Sequence, residues 1–166
     1  TYCKGKIDEW DVINEAIVNN GFREDTWYKI VNTQANSNGE IGYHNYFAYL
    51  FKWARLGDPD VELFYNDYNI EAFGTSKNNF MRTFDKKLKS DYSAPNDGVG
   101  LQSHFKITLT TNDFISRIGK TIDDLGESNF IANITELDIR ICNGDTQTLE
   151  DQKKAVSYTH LRAHET

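Results

Sequence analysis

The sequence predicts an α/β fold built around a parallel sheet. Three observations predict it. Short β-prone runs alternate with longer segments of helical periodicity. The intervening stretches have the length of the helix in a βα unit. Strand after strand also ends in polar residues, at the end where parallel α/β folds bind ligands. The 166 residues, 39% hydrophobic and 13% aromatic, suit one ordinary domain with a real core.

Along the chain, Ile7 to Ile13 reads as the first strand, with Trp10, Val12 and Ile13 as its apolar content and Trp10 facing the core. Asn32 to Gly42, rich in Asn, Gly and Ser, reads as a loop or insertion. Tyr43 to Arg55 is a helix, because Tyr43, Phe47, Leu50, Phe51 and Ala54 share one face. Gly57-Asp58-Pro59 stops it, since proline cannot continue a helix. Val61 to Tyr65 is the second strand. Ser76 to Lys89 is the second helix, with Phe80, Phe84 and Leu88 as its core stripe and Asp85-Lys86-Lys87 as a solvated face. After a turn at Pro95 to Gly98, Val99 to Leu101 is a short third strand. The third helix has Thr111 as its cap, Ile115, Ile118, Ile122 and Leu125 on one face, and Gly126 as its close. Ile131 to Ile139 is a fourth strand, and a last helix starts near Thr148.

The first strand ends in Asp11, Asn14 and Glu15, and the second in Asn66, Asp67, Tyr68 and Asn69. The third ends in Gln102, Ser103 and His104, and the fourth carries Glu136 and Asp138. Such groups are costly at a buried strand end unless they are paired or working. The plainer alternative is that they cap helix starts. A net charge of −7 argues against a nucleic-acid backbone as partner and leaves a neutral ligand such as a sugar open. No spacing suggests zinc, no apolar run is long enough to span a bilayer, and no signal peptide is visible.

These strand ends carry a family resemblance. Trp10 to Ala16 (WDVINEA) resembles the acid/base motif of glycoside hydrolase family 10, the endo-β-1,4-xylanases. Leu63 to Asn69 (LFYNDYN), Gly98 to His104 (GVGLQSH) and Ile134 to Ile139 (ITELDI) resemble the family's later strands, the last of which carries its nucleophile. The four motifs stand in family order from about Lys6 to Ala155. A complete barrel of this type needs about 250 residues. The resemblance therefore implies a partial (β/α)8 TIM barrel truncated at both ends, holding strands four to seven. It implies a catalytic-domain segment over 1–156. The tail Ser157 to Thr166 departs from the family and resembles a translated sequencing-adapter peptide, so no metal role is expected of His160 and His164. The resemblance also implies no cofactor, a xylan or xylo-oligosaccharide substrate, a monomeric parent, and secretion or a cell-surface or periplasmic location.

Breaking a glycosidic bond needs a proton for the leaving oxygen and a nucleophile or activated water, which two carboxyl groups supply. Glu15 is expected to be the acid/base and Glu136 the nucleophile. His104 can donate to Glu136 while Asp138 holds the other ring nitrogen, a relay that favours the charged form of Glu136. A purely structural His104 is the alternative. Asn14 and Gln102 would bond the sugar at the cleavage point, Tyr68 and Asn69 would line the aglycone side, and Asp11 and Asp67 would orient neighbours. An endoglucanase, a non-catalytic relic and a half barrel that does not fold are the competing readings. Cys3 belongs near the amino-terminal face and Cys142 beyond the carboxyl end of a strand, too far apart to bond to each other.

Overall fold

The structure, a computed structural model, describes residues 3–31 and 42–163, with side chains through residue 157. Its first strand is β1 (Glu9–Asn14), followed by a small hairpin of β2 (Ile17–Val18) and β3 (Gly21–Phe22). A helical stretch α1 covers 26–31. Then come α2 (Tyr43–Gly57), β4 (Glu62–Asp67), α3 (Ser76–Tyr92), β5 (Gly98–Leu101) and β6 (His104–Lys106). A 3-10 turn (Ile107–Leu109), α4 (Asn112–Glu127), β7 (Ile131–Ile134), β8 (Asp138–Arg140) and α5 (Leu149–Ala163) complete the order.

Four strands form one all-parallel sheet in the order β1-β4-β5-β7. The register pairs Asn14 with Asn66, Asn66 with Gly100 and Gly100 with Asn133, so the carboxyl ends of successive strands lie level. The sheet is curved like a barrel wall: Asn133 on its last strand donates to Glu9 Oε2 on its first at 2.7 Å. Leu63, Tyr65, Val99 and Leu101 from the sheet join Phe51, Phe84, Leu88 and Leu125 from the helices in one buried core. β4, a central strand, is buried from Leu63 through Asp67, as expected for a parallel strand covered on both faces.

Local chemistry sets the element ends. Thr75 and Thr111 each cap a helix, accepting from the main-chain N–H of Asn78 and Phe114 at 3.2 Å. α4 ends differently from expectation. Gly126 lies inside the helix, and the chain reverses at Asn129, which is left-handed (φ +57°). Asn129 N bonds Gly126 O and Phe130 N bonds Leu125 O, a Schellman close with asparagine in the glycine role.

Three further expectations are corrected. The fourth strand is two strands. Thr135 N bonds Leu101 O as the last rung of the main sheet, Asp138 N turns to Ser103 O, and β8 then pairs with β6 in a separate two-stranded sheet. Glu136 sits in the break between them. Trp10 is 42% exposed, because among the described residues β1 has a strand neighbour on one side only. Asp85 is fully buried: it faces Asn96 while Lys86 turns to Asp124 at 3.0 Å and Lys87 faces solvent. The β2–β3 hairpin, α1 and β6 were not foreseen. The loop over Asn32 to Gly42 lies outside the described residues except for Gly42, the N-cap of α2, and the side chains of His160 and His164 lie outside them too. Cys3 and Cys142 are both free.

Candidate active site

The predicted polar strand ends converge at the carboxyl edge of the curved sheet. Three strands leave it through non-glycine residues in the left-handed region: Glu15 (φ +54°), Asn69 (φ +56°) and Ser103 (φ +63°). Each such residue costs about 1–2 kcal/mol, and such strain clusters where a side chain must be aimed. At Glu15 and Ser103 the main-chain N–H is held. Glu15 N donates to Asn66 O at 2.9 Å, and Ser103 N donates to the buried carboxylate of Glu71 at 2.8 Å.

The two candidate carboxylates are joined by one run of amides. Gln102 Nε2 lies 3.2 Å from both Glu15 Oε1 and Asn14 Oδ1. Asn66 Nδ2 lies 3.1 Å from Asn14 Oδ1 and 2.9 Å from Glu136 Oε1. Asn66 Oδ1 accepts from Thr135 Oγ1 at 2.8 Å, which fixes the amide's orientation. Gly100 leaves the room: a Cβ there would collide with Asn66 Oδ1.

On the other side of Glu136, His104 Nε2 is 3.1 Å from Oε2, and His104 Nδ1 is 2.8 Å from Asp138 Oδ1. The bond to Asp138 is the largest influence raising the imidazole above its ordinary range, and the bond to Glu136 adds to it. The β6–β8 register, which sets His104 against Asp138, makes this contact. Asp11, on β1, is raised first by burial and then by the negative charges of Glu9 and Glu136.

Asp67 is completely buried and acts as an anchor. Its carboxylate accepts from Tyr68 N at 2.8 Å, Lys77 Nζ at 2.7 Å, Ile17 N at 3.4 Å and the Tyr65 hydroxyl. Tyr68 is gripped from two sides: Lys77 Nζ lies 3.5 Å from its ring centroid, and its hydroxyl accepts from Arg23 Nη2 at 3.4 Å. Asn69 follows at the exposed rim.

Every residue expected in the site therefore lies at this edge, and Glu15, Asn14, Gln102, Glu136, His104 and Asp138 are joined by hydrogen bonds. Sequence reasoning missed Asn66, the hub, although it sits in a polar strand end already singled out. It also missed Arg23, Lys77 and Glu71, which lie outside the strand-end pattern. Among the described residues no group of three or more His, Cys, Asp or Glu could hold a metal ion, and no helix is long and apolar enough to cross a membrane.

Comparison with known proteins gives a consistent answer. The family model of Glycosyl hydrolase family 10 matches residues 1–164. Endo-1,4-beta-xylanase A of Thermotoga neapolitana is 36% identical over 154 residues, covering 90% of this chain and 13% of that protein. Exoglucanase XynX of Acetivibrio thermocellus is 34% identical over 160 residues, covering 96% of this chain and 13% of its own length. Among solved structures, xylanase 10B of Thermotoga petrophila RKU-1, in complex with xylobiose, superimposes with a TM-score of 0.84 at 29% identity. That match covers 99% of this chain and 46% of the xylanase, so the chain spans less than half the length of these relatives and corresponds to a partial α/β barrel. The sequence match, the barrel-wall sheet and the superposition agree: the chain belongs to Glycosyl hydrolase family 10.

Proposed function

We propose that this chain, within a complete barrel, hydrolyses internal β-1,4-xylosidic bonds of xylan with retention, by double displacement. The observation that carries the reading is the hydrogen-bonded run from Glu15 through Gln102, Asn14 and Asn66 to Glu136. It supports a pair of carboxylates working on one bond, joined by amides of the kind that bind sugar hydroxyls.

In the first step Glu136 attacks the anomeric carbon as the glycosidic oxygen leaves with the proton of Glu15. A covalent glycosyl-enzyme forms, and Glu15 becomes a carboxylate. In the second step Glu15 takes a proton from water, whose oxygen displaces Glu136 from the same carbon. His104, held by Asp138, aims and tunes Glu136. Asn14 and Gln102 bond the sugar at the cleavage point, and Tyr68 and Asn69 line the aglycone side. The mechanism calls for no cofactor. It requires the two carboxyl groups to stand about 5–5.5 Å apart. By likeness to its family, the parent protein acts outside the cytoplasm, secreted, at the cell surface or in the periplasm, as a monomer.

The test is hydrolysis of xylotetraose by this chain and by the chain joined to the remaining strands of a family barrel, with the product anomer followed by proton NMR. The β-anomer appearing first supports the reading, and the α-anomer first overturns it. Glu136→Ala should abolish turnover of every glycoside. Glu15→Ala should spare aryl glycosides with activated leaving groups, which need no protonation. The likeness to a protein named an exoglucanase favours a second reading, cleavage of β-1,4-glucan. Faster turnover of cellotetraose than of xylotetraose would establish it.

A further inference from the structure

The turn after β1 poses a mechanical problem that Glu15 cannot solve alone. Its backbone is left-handed (φ +54°) without being glycine. Its N–H is held by Asn66 O at 2.9 Å, but that leaves its carbonyl to be fixed. The carbonyl accepts from Arg23 Nε at 2.9 Å. The same guanidinium lies 3.6 Å from Glu15 Oε2 and donates to the Tyr68 hydroxyl at 3.4 Å.

The β2–β3 hairpin delivers Arg23 to this point. Arg23 N bonds Ala16 O at 2.7 Å, so the ladder that pairs Ile17 with Phe22 continues to the residue beside Glu15. Phe22 is the nail: its ring makes edge contacts with Tyr43, Phe80 and Phe84 at centroid distances of 4.8 to 5.2 Å. Because successive side chains in an extended segment alternate in direction, an inward Phe22 turns Arg23 toward the site. A Lys ammonium could not copy this, since the contact uses two edges of a planar fork.

We infer that Arg23 is a positioning residue for the acid/base. It clamps the strained main chain of Glu15 and ties it to the hydroxyl of Tyr68. The inference rests on the proposed role of Glu15, although the clamp itself does not require catalysis.

The test compares the intact chain with Arg23→Gln and Arg23→Lys. Amide hydrogen exchange is read at Glu15, Ala16 and Ile17 and, as a control, at β4 and β5. Arg23→Gln should speed exchange at the turn about tenfold or more, as local opening becomes easier, and leave the sheet unchanged. An unaltered turn would overturn the clamp whether or not the chain cleaves anything. Hydrolysis by the chain joined to the remaining strands of a family barrel supplies the second reading. Misplacing a proton donor costs on the order of 100-fold, so Arg23→Gln should lose about that on xylotetraose. It should lose little on an aryl xylobioside with an activated leaving group, and Arg23→Lys should recover only part. Equal losses on both substrates, or full recovery by lysine, would show Arg23 to be scaffold.

Discussion

Asn66 shows how one side chain can set two catalytic groups at once. It is 1% exposed and its amide makes three hydrogen bonds, to Asn14, Glu136 and Thr135. Asn66→Ala should therefore cost about 1–3 kcal/mol of stability, because partners lose a buried bond. Gly100→Ala should act through the same residue, with a new methyl pushing the amide away from Glu136 and a loss of about 1–3 kcal/mol. Urea unfolding of both variants checks this. His104 gives a pH signature. Its folded value is raised, so the ring's bonds to two carboxylates stabilise most fully below the ordinary imidazole range and fade as pH rises through the raised value. In an NMR titration Asp138→Asn should lower the His104 midpoint more than Glu136→Gln does, since the bond to Asp138 dominates. The sequence exposed His104, Asp138 and the two glutamates because polar residues at strand ends are conspicuous. Asn66 stood in such an end unnoticed, since nothing in one dimension says which of four adjacent polar residues faces inward.

The element that most tests the reading of the sequence is α3. Its periodicity announced Phe84 and Leu88, and both are buried. Its charged run Asp85-Lys86-Lys87 reads as solvated in the sequence, yet Asp85 is fully buried and its Oδ2 has no hydrogen-bond partner among the described residues. Charge type outweighed position in the sequence reading, although Asp85 lies one residue from Phe84 on the same inward face. Burial drives the Asp85 carboxyl well above its ordinary range. The folded state then holds a proton that the unfolded chain releases above about pH 4, so this group's contribution falls as pH rises from there. Asp85→Asn should flatten the alkaline side of the stability profile and raise the melting temperature at pH 8. Lys77, on the first turn of the same helix, has the opposite logic, because it is paired with buried Asp67. Lys77→Met removes that carboxylate's counter-charge and should cost about 3–5 kcal/mol, whereas Lys77→Met with Asp67→Asn should recover much of the loss. The small β2–β3 hairpin escaped sequence reading for a different reason: two-residue strands have no measurable periodicity, and their stability comes from Phe22 packing into rings far along the chain.

At the scale of the molecule, four parallel strands make a curved wall with β1 and β7 as its outer strands. The motifs conveyed the strand order and the shared carboxyl edge, but they carried no sign of what covers the wall's ends. Beside β1 a cavity of about 470 Å³ is lined by Trp10, Val12, Ala54, Gly57 and Cys3 among others. Trp10 itself is 42% exposed, and so are Tyr49 and Trp53 on the neighbouring α2, at 48% and 60%. An outer strand with no second strand neighbour among the described residues, next to exposed aromatic surface, is a template for pairing with another chain. The chain on its own should therefore self-associate with rising concentration, visible as an increasing mass in sedimentation. Trp10→Lys should reduce that association, because a charge on an outer strand resists edge pairing, and it should leave the far-UV spectrum unchanged. Iodide should quench Trp10 fluorescence less as the concentration rises. A chain that stays monomeric at high concentration, with Trp10 fully open to quencher, would show that this edge is protected by its own curvature.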